Sequence, residues 1–220
     1  MDVNSLVQTV AIYAIPVLFA ITLHEAAHGY VARHFGDMTA HAQGRISLNP
    51  IRHIDLVGTI IVPALMLLLT KNLLGGGILF GWAKPVPVNY SALRKPRQHM
   101  ALVAAAGPGA NLVMALVWAI LLKVAVLLPA GGFAELLGLM SQAGIVVNLI
   151  FMFLNLLPIL PLDGGRIVAS LLPMRAAWRY SKLEPFGLPL LVLLLVTNVL
   201  GFVLQPLVGA SDALIRALVF

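Results

Sequence analysis

Residues 3–28 read VNSLVQTVAIYAIPVLFAITLHEAAH, an apolar run with the look of a membrane span that ends in the pentapeptide HEAAH, His24 to His28. Two imidazoles four residues apart on a helix share one face about one turn apart, so both reach a single metal ion. Zinc suits a neutral imidazole pair. A carboxylate between them, here Glu25, is placed to take a proton from a water that the metal activates. Apart from Asp2, nothing before His24 is charged. Ionisable side chains are costly inside a bilayer, so a cluster of them there marks a functional site. The plain alternative is a hydrogen-bonded polar patch on a helix; the apolar setting favours metal.

Composition agrees with a membrane setting. Hydrophobic residues make up 60% of the chain and charged residues 10%, against about 25% charged in soluble domains. Stretches 3–23, 100–122, 136–162 and 185–211 each approach or exceed the ~20 apolar residues needed to cross about 30 Å of hydrocarbon. The chain reads as an all-α polytopic membrane protein with four to six transmembrane or re-entrant helices and a small cytoplasm-facing β element. A single domain over 1–220 is expected, with a core over about 10–175 and additional C-terminal helices over 184–220. With no cysteine, neither a disulfide framework nor a thiolate metal site is available. The N-terminus lacks a basic region and an obvious cleavage site, so the first segment reads as retained rather than as a signal peptide.

The net charge of +6 is explained by topology and not by nucleic acid. Eleven of the fourteen lysines and arginines fall in three loops: Arg33, Arg45 and Arg52; Lys84, Arg94, Lys95 and Arg97; and Arg166, Arg175, Arg179 and Lys182. Short basic loops face the cytoplasm. Segment 10–32 then runs inward, 100–128 outward, 135–160 inward and 186–206 outward. The uncharged PAGGFA, 129–134, fits the outer side, and Lys123 can snorkel to that surface. Residues 56–83 must leave the cytoplasmic side and return to it. They hold 15 uncharged residues before Lys71 and 12 after it, too few for two spanning helices. A helix of about 58–72 with an extended return, bent at Gly75 to Gly77, is expected; a true span with an extended return is the alternative.

Arg33 lies five residues after His28, so the HEAAH turns sit on the order of 8–13 Å beneath the cytoplasmic interface at 1.5 Å per residue. The only other carboxylate at a comparable depth is Asp163, which closes segment 135–162. Catalytic zinc takes three protein ligands and keeps one open position, and Asp163 is the natural third beside His24 and His28. On its own, Asp163 reads equally as a turn residue in PLDGG, with Gly164 and Gly165 ending a helix.

HEAAH together with NLLPILPLDGG, Asn155 to Gly165, resembles the paired signature of the site-2 protease family of intramembrane zinc metalloproteases. That signature is HExxH in one transmembrane helix and N-x-x-P-x-x-x-L-D-G in another; Asn155, Pro158, Leu162, Asp163 and Gly164 all fall at its spacing. GRISLNP with His53 and Asp55, GWAKPVPVN and AGPGAN resemble segments of short bacterial members, and the likeness covers roughly residues 15 to 175. The resemblance implies an intramembrane zinc endopeptidase with His24, His28 and Asp163 as ligands of one zinc per chain. It implies Glu25 as the general base that later protonates the leaving amine. Asn155 would hydrogen-bond the substrate carbonyl or its developing oxyanion, although an asparagine here could equally join helices.

The implied substrate is a transmembrane protein, cut near its cytoplasmic end. Its backbone carbonyls are paired in a helix, which must unwind before one can react. GRISLNP, Gly44 to Pro50, and AKPVPVN, Ala83 to Asn89, are β-prone; they read either as strands that pair with unwound substrate or as plain connectors. Pro85 and Pro87 favour an edge. No PDZ or nucleotide-binding module is accommodated, so selectivity is expected from a separate adaptor protein or from the substrate's own helix stability. Gly107, Pro108 and Gly109 read as a tight-packing or capping device opening the 100–128 helix, and Asn111 as a partner for the site helices. His34, His41, His53 and His99 read as surface or interfacial, and 211–220 as a short interfacial helix capped by Ser211. Two rival functions are a catalytically silent relative, against which the intact Glu25 argues, and a metal transporter. Transport would want a polar path outward, and the outer halves offer only Glu135 and Lys123.

Overall fold

A computed structural model describes residues 3–53, 55–61 and 84–220. Its helices are α1 (Val3–His34), α2 (Thr39–Ala42), α3 (Pro96–Leu127), α4 (Gly132–Leu156), α5 (Asp163–Leu171), α6 (Met174–Ser181), α7 (Glu184–Val196) and α8 (Val199–Val219). Runs of Leu, Val, Ile and Ala offer no polar side chains to satisfy the main chain in lipid, and a helix pairs those groups within itself. Among the described residues, α3, α4, α8 and the Gln8–His34 part of α1 are long and apolar enough to cross a membrane. α7 is apolar but shorter.

The site lies where α1, α3 and α4 meet. α1 and α3 run antiparallel: Asn111 meets Ala20 and His24, while Val103, two turns earlier on α3, meets His28. α3 and α4 form a hairpin, and Ala115, Trp118, Ala119 and Leu122 pack against Ile145, Leu149 and Met152. α8 closes this core with Ile215, and Lys123 Nζ donates to Val219 O at its end. Small residues set the spacing: Ala20 and Ala32 on α1 and Ala115 and Ala119 on α3 are fully buried, letting helix backbones approach closely without hydrophobic drive from the lipid.

Four expectations need correction. The small β element is not supported, because no strand occurs among the described residues. Segments 44–49 and 84–89 lie side by side without a ladder, since other partners engage their polar groups. Arg45 donates to Lys84 O (3.1 Å) and Pro85 O (3.3 Å), and Lys84 N–H donates to His53 O. Val86 N–H donates to Glu25 and Asn89 N–H to Asp37. Pro85 and Pro87 have no N–H to offer, so the segment has few donors left for a neighbour strand.

The fourth apolar stretch is two helices rather than one. Thr197 Oγ1 bonds back to Leu193 O at 2.8 Å, and Asn198 is left-handed with φ 58°, a conformation that asparagine tolerates better than most residues. α8 then continues unbroken through Ser211, so the separate helix expected over 211–220 is not formed. Likewise α3 begins at Pro96, which puts Gly107 to Gly109 in its interior and excludes a capping role. Residues Leu56–Ile61 form a wide π-helical turn; the rest of the expected re-entrant element, with its bend at Gly75 to Gly77, lies outside the described residues.

Candidate metal centre

His24 and His28 project from one face of α1, with ring centroids 4.7 Å apart, planes near perpendicular and Nε2 atoms 3.1 Å apart. α1 continues as helix to His34, so the pair sits about 9–15 Å from that helix end. Asp163 arrives from elsewhere in the chain. α4 stops at Leu156, residues 157–162 turn back, and Asp163 begins α5. It therefore opens a helix, where the turn reading had it closing one. Gly164 makes the turn feasible, because a Cβ there would stand 2.2 Å from Leu156 O. Asp163 Oδ2 lies 3.1 Å from His24 Nε2 and 3.3 Å from His28 Nε2.

The hydrogen bonds behind the rings decide what faces the centre. His28 Nδ1 is 2.7 Å from Val103 O, and His24 Nδ1 is 2.6 Å from Asn111 Oδ1. Both partners are acceptors, so both Nδ1 atoms carry the proton and both Nε2 atoms turn a lone pair inward. Asp163 Oδ2 is buried with no hydrogen-bond donor. Three lone-pair atoms thus converge at 3.1–3.3 Å, an arrangement that repels itself unless a cation sits among them. Tetrahedral ligands held about 2.0–2.1 Å from zinc stand about 3.3–3.4 Å apart. The three residues fit one metal ion on chemistry and on spacing.

α3 comes unusually close to the ligands. A Cβ on Gly107 would lie 2.5 Å from His28 Nε2 and 2.6 Å from His24 Nε2, so the tight-packing reading of this glycine holds. Gly107→Ala forces either imidazole or α3 to move. Overpacking of this kind costs about 1–3 kcal/mol, so zinc affinity in a chelator competition should fall roughly 5- to 150-fold. Unchanged affinity would mean that the α1–α3 contact relaxes freely.

Other candidates are placed less centrally. Glu25 is half-buried, and its Oε2 accepts the Val86 N–H at 2.7 Å. Asn155, half-buried in the last turn of α4, donates through Nδ2 to Phe151 O at 3.0 Å; the structure does not bring it into hydrogen-bond contact with the three-residue cluster. His53, expected to be surface or interfacial, is buried and donates through Nε2 to Ser47 O at 2.8 Å. Reading the residues alone missed the Val103 carbonyl, the Val86 N–H and Asn148, which donates to Gly144 O and accepts from Asn111. The first two are main-chain groups and leave no mark in side-chain identity. Asn148 carried one signal, an amide inside an apolar stretch two turns before Asn155.

Membrane-length helices around a buried His–His–carboxylate cluster define the class of membrane-embedded metalloproteins. The model of peptidase family M50 matches residues 127–197, the part that holds Asn155 and Asp163. Two relatives extend the likeness over most of the chain. The candidate zinc metalloprotease YwhC of Bacillus subtilis is 39% identical over 210 residues, 92% of this chain and 88% of that protein. The candidate zinc metalloprotease Rip2 of Mycolicibacterium smegmatis is 30% identical over 190 residues, 84% of this chain and 66% of that protein. The chain belongs to peptidase family M50, the site-2 protease family, and is an integral membrane protein. No solved structure matches it.

Proposed function

We propose that the chain is an intramembrane zinc metalloendopeptidase that hydrolyses peptide bonds in or near transmembrane segments of membrane proteins, close to the cytoplasmic face. His24, His28 and Asp163 hold the zinc, Glu25 is the general base and Asn155 faces the developing oxyanion. The observation that carries this reading is the convergence of three buried lone-pair atoms, two on the membrane-length α1 that also carries Glu25 and one at the start of the short α5. The placement of eleven basic residues in three loops supports an inner-membrane protein with those loops in the cytoplasm. The single-domain reading over 1–220 rests on the shared packing of α1, α3, α4 and α8. Selectivity would come from a separate adaptor protein or from the ease with which a substrate helix unwinds.

When bound, zinc supplies Lewis-acid polarisation of the scissile carbonyl and acidifies water. The chain's own residues do the rest. Glu25, steadied at Oε2 by the Val86 N–H, takes the proton that the attacking water gives up and returns it to the amine nitrogen as the C–N bond breaks. One water is consumed, and the products are a carboxylate and an amine that carries both of the water's protons as an ammonium group. Asn155 Nδ2 has two hydrogens and gives one to Phe151 O, which leaves the second for substrate oxygen.

The test is cleavage of a disordered reporter polypeptide by the purified chain in detergent, with new termini read by mass spectrometry. Cleavage should stop on chelation and return with zinc. Cleavage that ignores chelation, or none at all with zinc bound, would overturn the reading. Asn155→Ala should lower turnover by ~10²-fold or more without changing bound zinc, as for loss of one oxyanion donor. A near-normal rate would mean that Asn155 only braces α4.

A further inference from the structure

We propose that Asn148 is a positioning residue for the metal centre: through Asn111 it sets which nitrogen of His24 carries the proton. The inference rests on the zinc reading of the site and extends it to α4. Asn111 and Asn148 are both fully buried, and an unpaired amide in an apolar interior is costly. Each is paired, and the pairing has a direction.

The direction follows from two main-chain carbonyls, which can only accept. Asn148 sits 2.8 Å from Gly144 O, so the atom there is Nδ2 and its Oδ1 turns toward α3. Asn111 sits 3.2 Å from Ala20 O and 3.0 Å from Asn148 Oδ1, so both of those contacts are made by its Nδ2. The amide has two hydrogens, enough for both. Asn111 Oδ1 is then left facing His24 Nδ1 at 2.6 Å, and the imidazole must donate there. Its Nε2 is bare and points at His28 and Asp163.

Turning the Asn111 amide over would set its oxygen against two acceptors, Ala20 O and Asn148 Oδ1. It would also present a donor to His24 Nδ1, driving the ring proton onto Nε2, where a metal ligand needs a lone pair. Without Asn148 only the longer contact to Ala20 O resists that flip. A pair of asparagines serving merely to join α3 and α4 would have no reason to govern His24.

Chelator competition for zinc should show Asn111→Leu about 10- to 100-fold weaker and Asn148→Leu about tenfold weaker than wild type. The double variant should be no worse than Asn111→Leu alone, because Asn148 acts through Asn111. A second readout needs no metal. In metal-free, ¹⁵N-histidine-labelled protein above the ordinary imidazole titration range, the His24 signal, identified by its loss in His24→Gln, should report Nδ1–H in wild type and a mixture of tautomers in Asn148→Leu. Asn148→Ala, which adds no bulk, serves if the leucine variant does not fold. Asn148 variants that melt earlier but keep wild-type zinc affinity and the wild-type tautomer would overturn the proposal and leave helix bracing. Losses that multiply in the double variant would overturn it too. A wild type that holds no zinc would sink the metal reading instead, while the tautomer would still judge the Asn148–Asn111 link by itself.

Discussion

Asp163→Ala is expected to take bound zinc from about one per chain to a small fraction of that, and peptide hydrolysis with it. Removing an outer partner of a metal ligand already weakens binding by about 10- to 100-fold, so losing one of three direct ligands should exceed ~10²-fold. The geometry adds a reason. Asp163 Oδ2 is the only carboxylate oxygen in the cluster, and without it His24 and His28 offer a neutral two-nitrogen site. The helix loses little in exchange: an acidic side chain in a first turn contributes typically about 0.3–1 kcal/mol. Zinc per purified chain, measured beside a melting curve, separates the two effects. A variant that melts normally yet holds as much zinc as wild type would sever HEAAH from the LDG turn and sink the three-ligand site. Asp163→Asn, which keeps the shape and one oxygen, should lie between the two.

Much of this site was legible because its parts obey short-range periodicity. The i, i+4 spacing of His24 and His28 places both rings on one face whatever surrounds them, and the bonds to Asn111 and Val103 orient the rings so that their Nε2 atoms stand 3.1 Å apart. The shared depth of Asp163 was also legible, since basic residues flank both segments. What escaped was set by individual hydrogen bonds and backbone conformations, some local and some tertiary. The stretch 185–211 carries no charged residue and is mostly apolar, so hydropathy alone runs one helix across Thr197 and Asn198; the break comes from a side-chain bond back to Leu193 and a left-handed asparagine. Residues 44–50 and 83–89 have β-prone composition, yet Glu25 and Asp37 on or beside α1 claim the N–H groups of Val86 and Asn89. Propensity counted the side chains of that segment, whereas its conformation was decided by which acceptors its main chain could reach. Gly107 was read as a packing residue without its target; that the target is the pair of imidazoles depends on the register of α1 against α3.

Glu25→Gln should leave zinc in place and lower hydrolysis by about 10²–10⁴-fold, the usual contribution of a general base. The substitution is conservative in the respect that matters for structure. Glu25 Oε2 accepts the Val86 N–H at 2.7 Å, and a glutamine oxygen can accept the same bond, so the side chain and segment 84–89 should hold their positions. Glu25 also lies outside the three-residue cluster, which is why zinc content should not follow activity down. What changes is proton affinity: an amide cannot take the proton that water must lose, nor hand it to the departing nitrogen. Glu25→Asp sharpens the assignment. It keeps a carboxylate but withdraws it by one methylene, away from both the Val86 N–H and the attacking water, and misplacement of that size costs up to ~10²-fold. Ranking the rates as wild type, then aspartate, then glutamine, at equal zinc, would identify proton transfer as the lost step. Equal loss of zinc in the glutamine variant would make Glu25 a structural prop of the centre, and an undiminished rate with zinc retained would require another base.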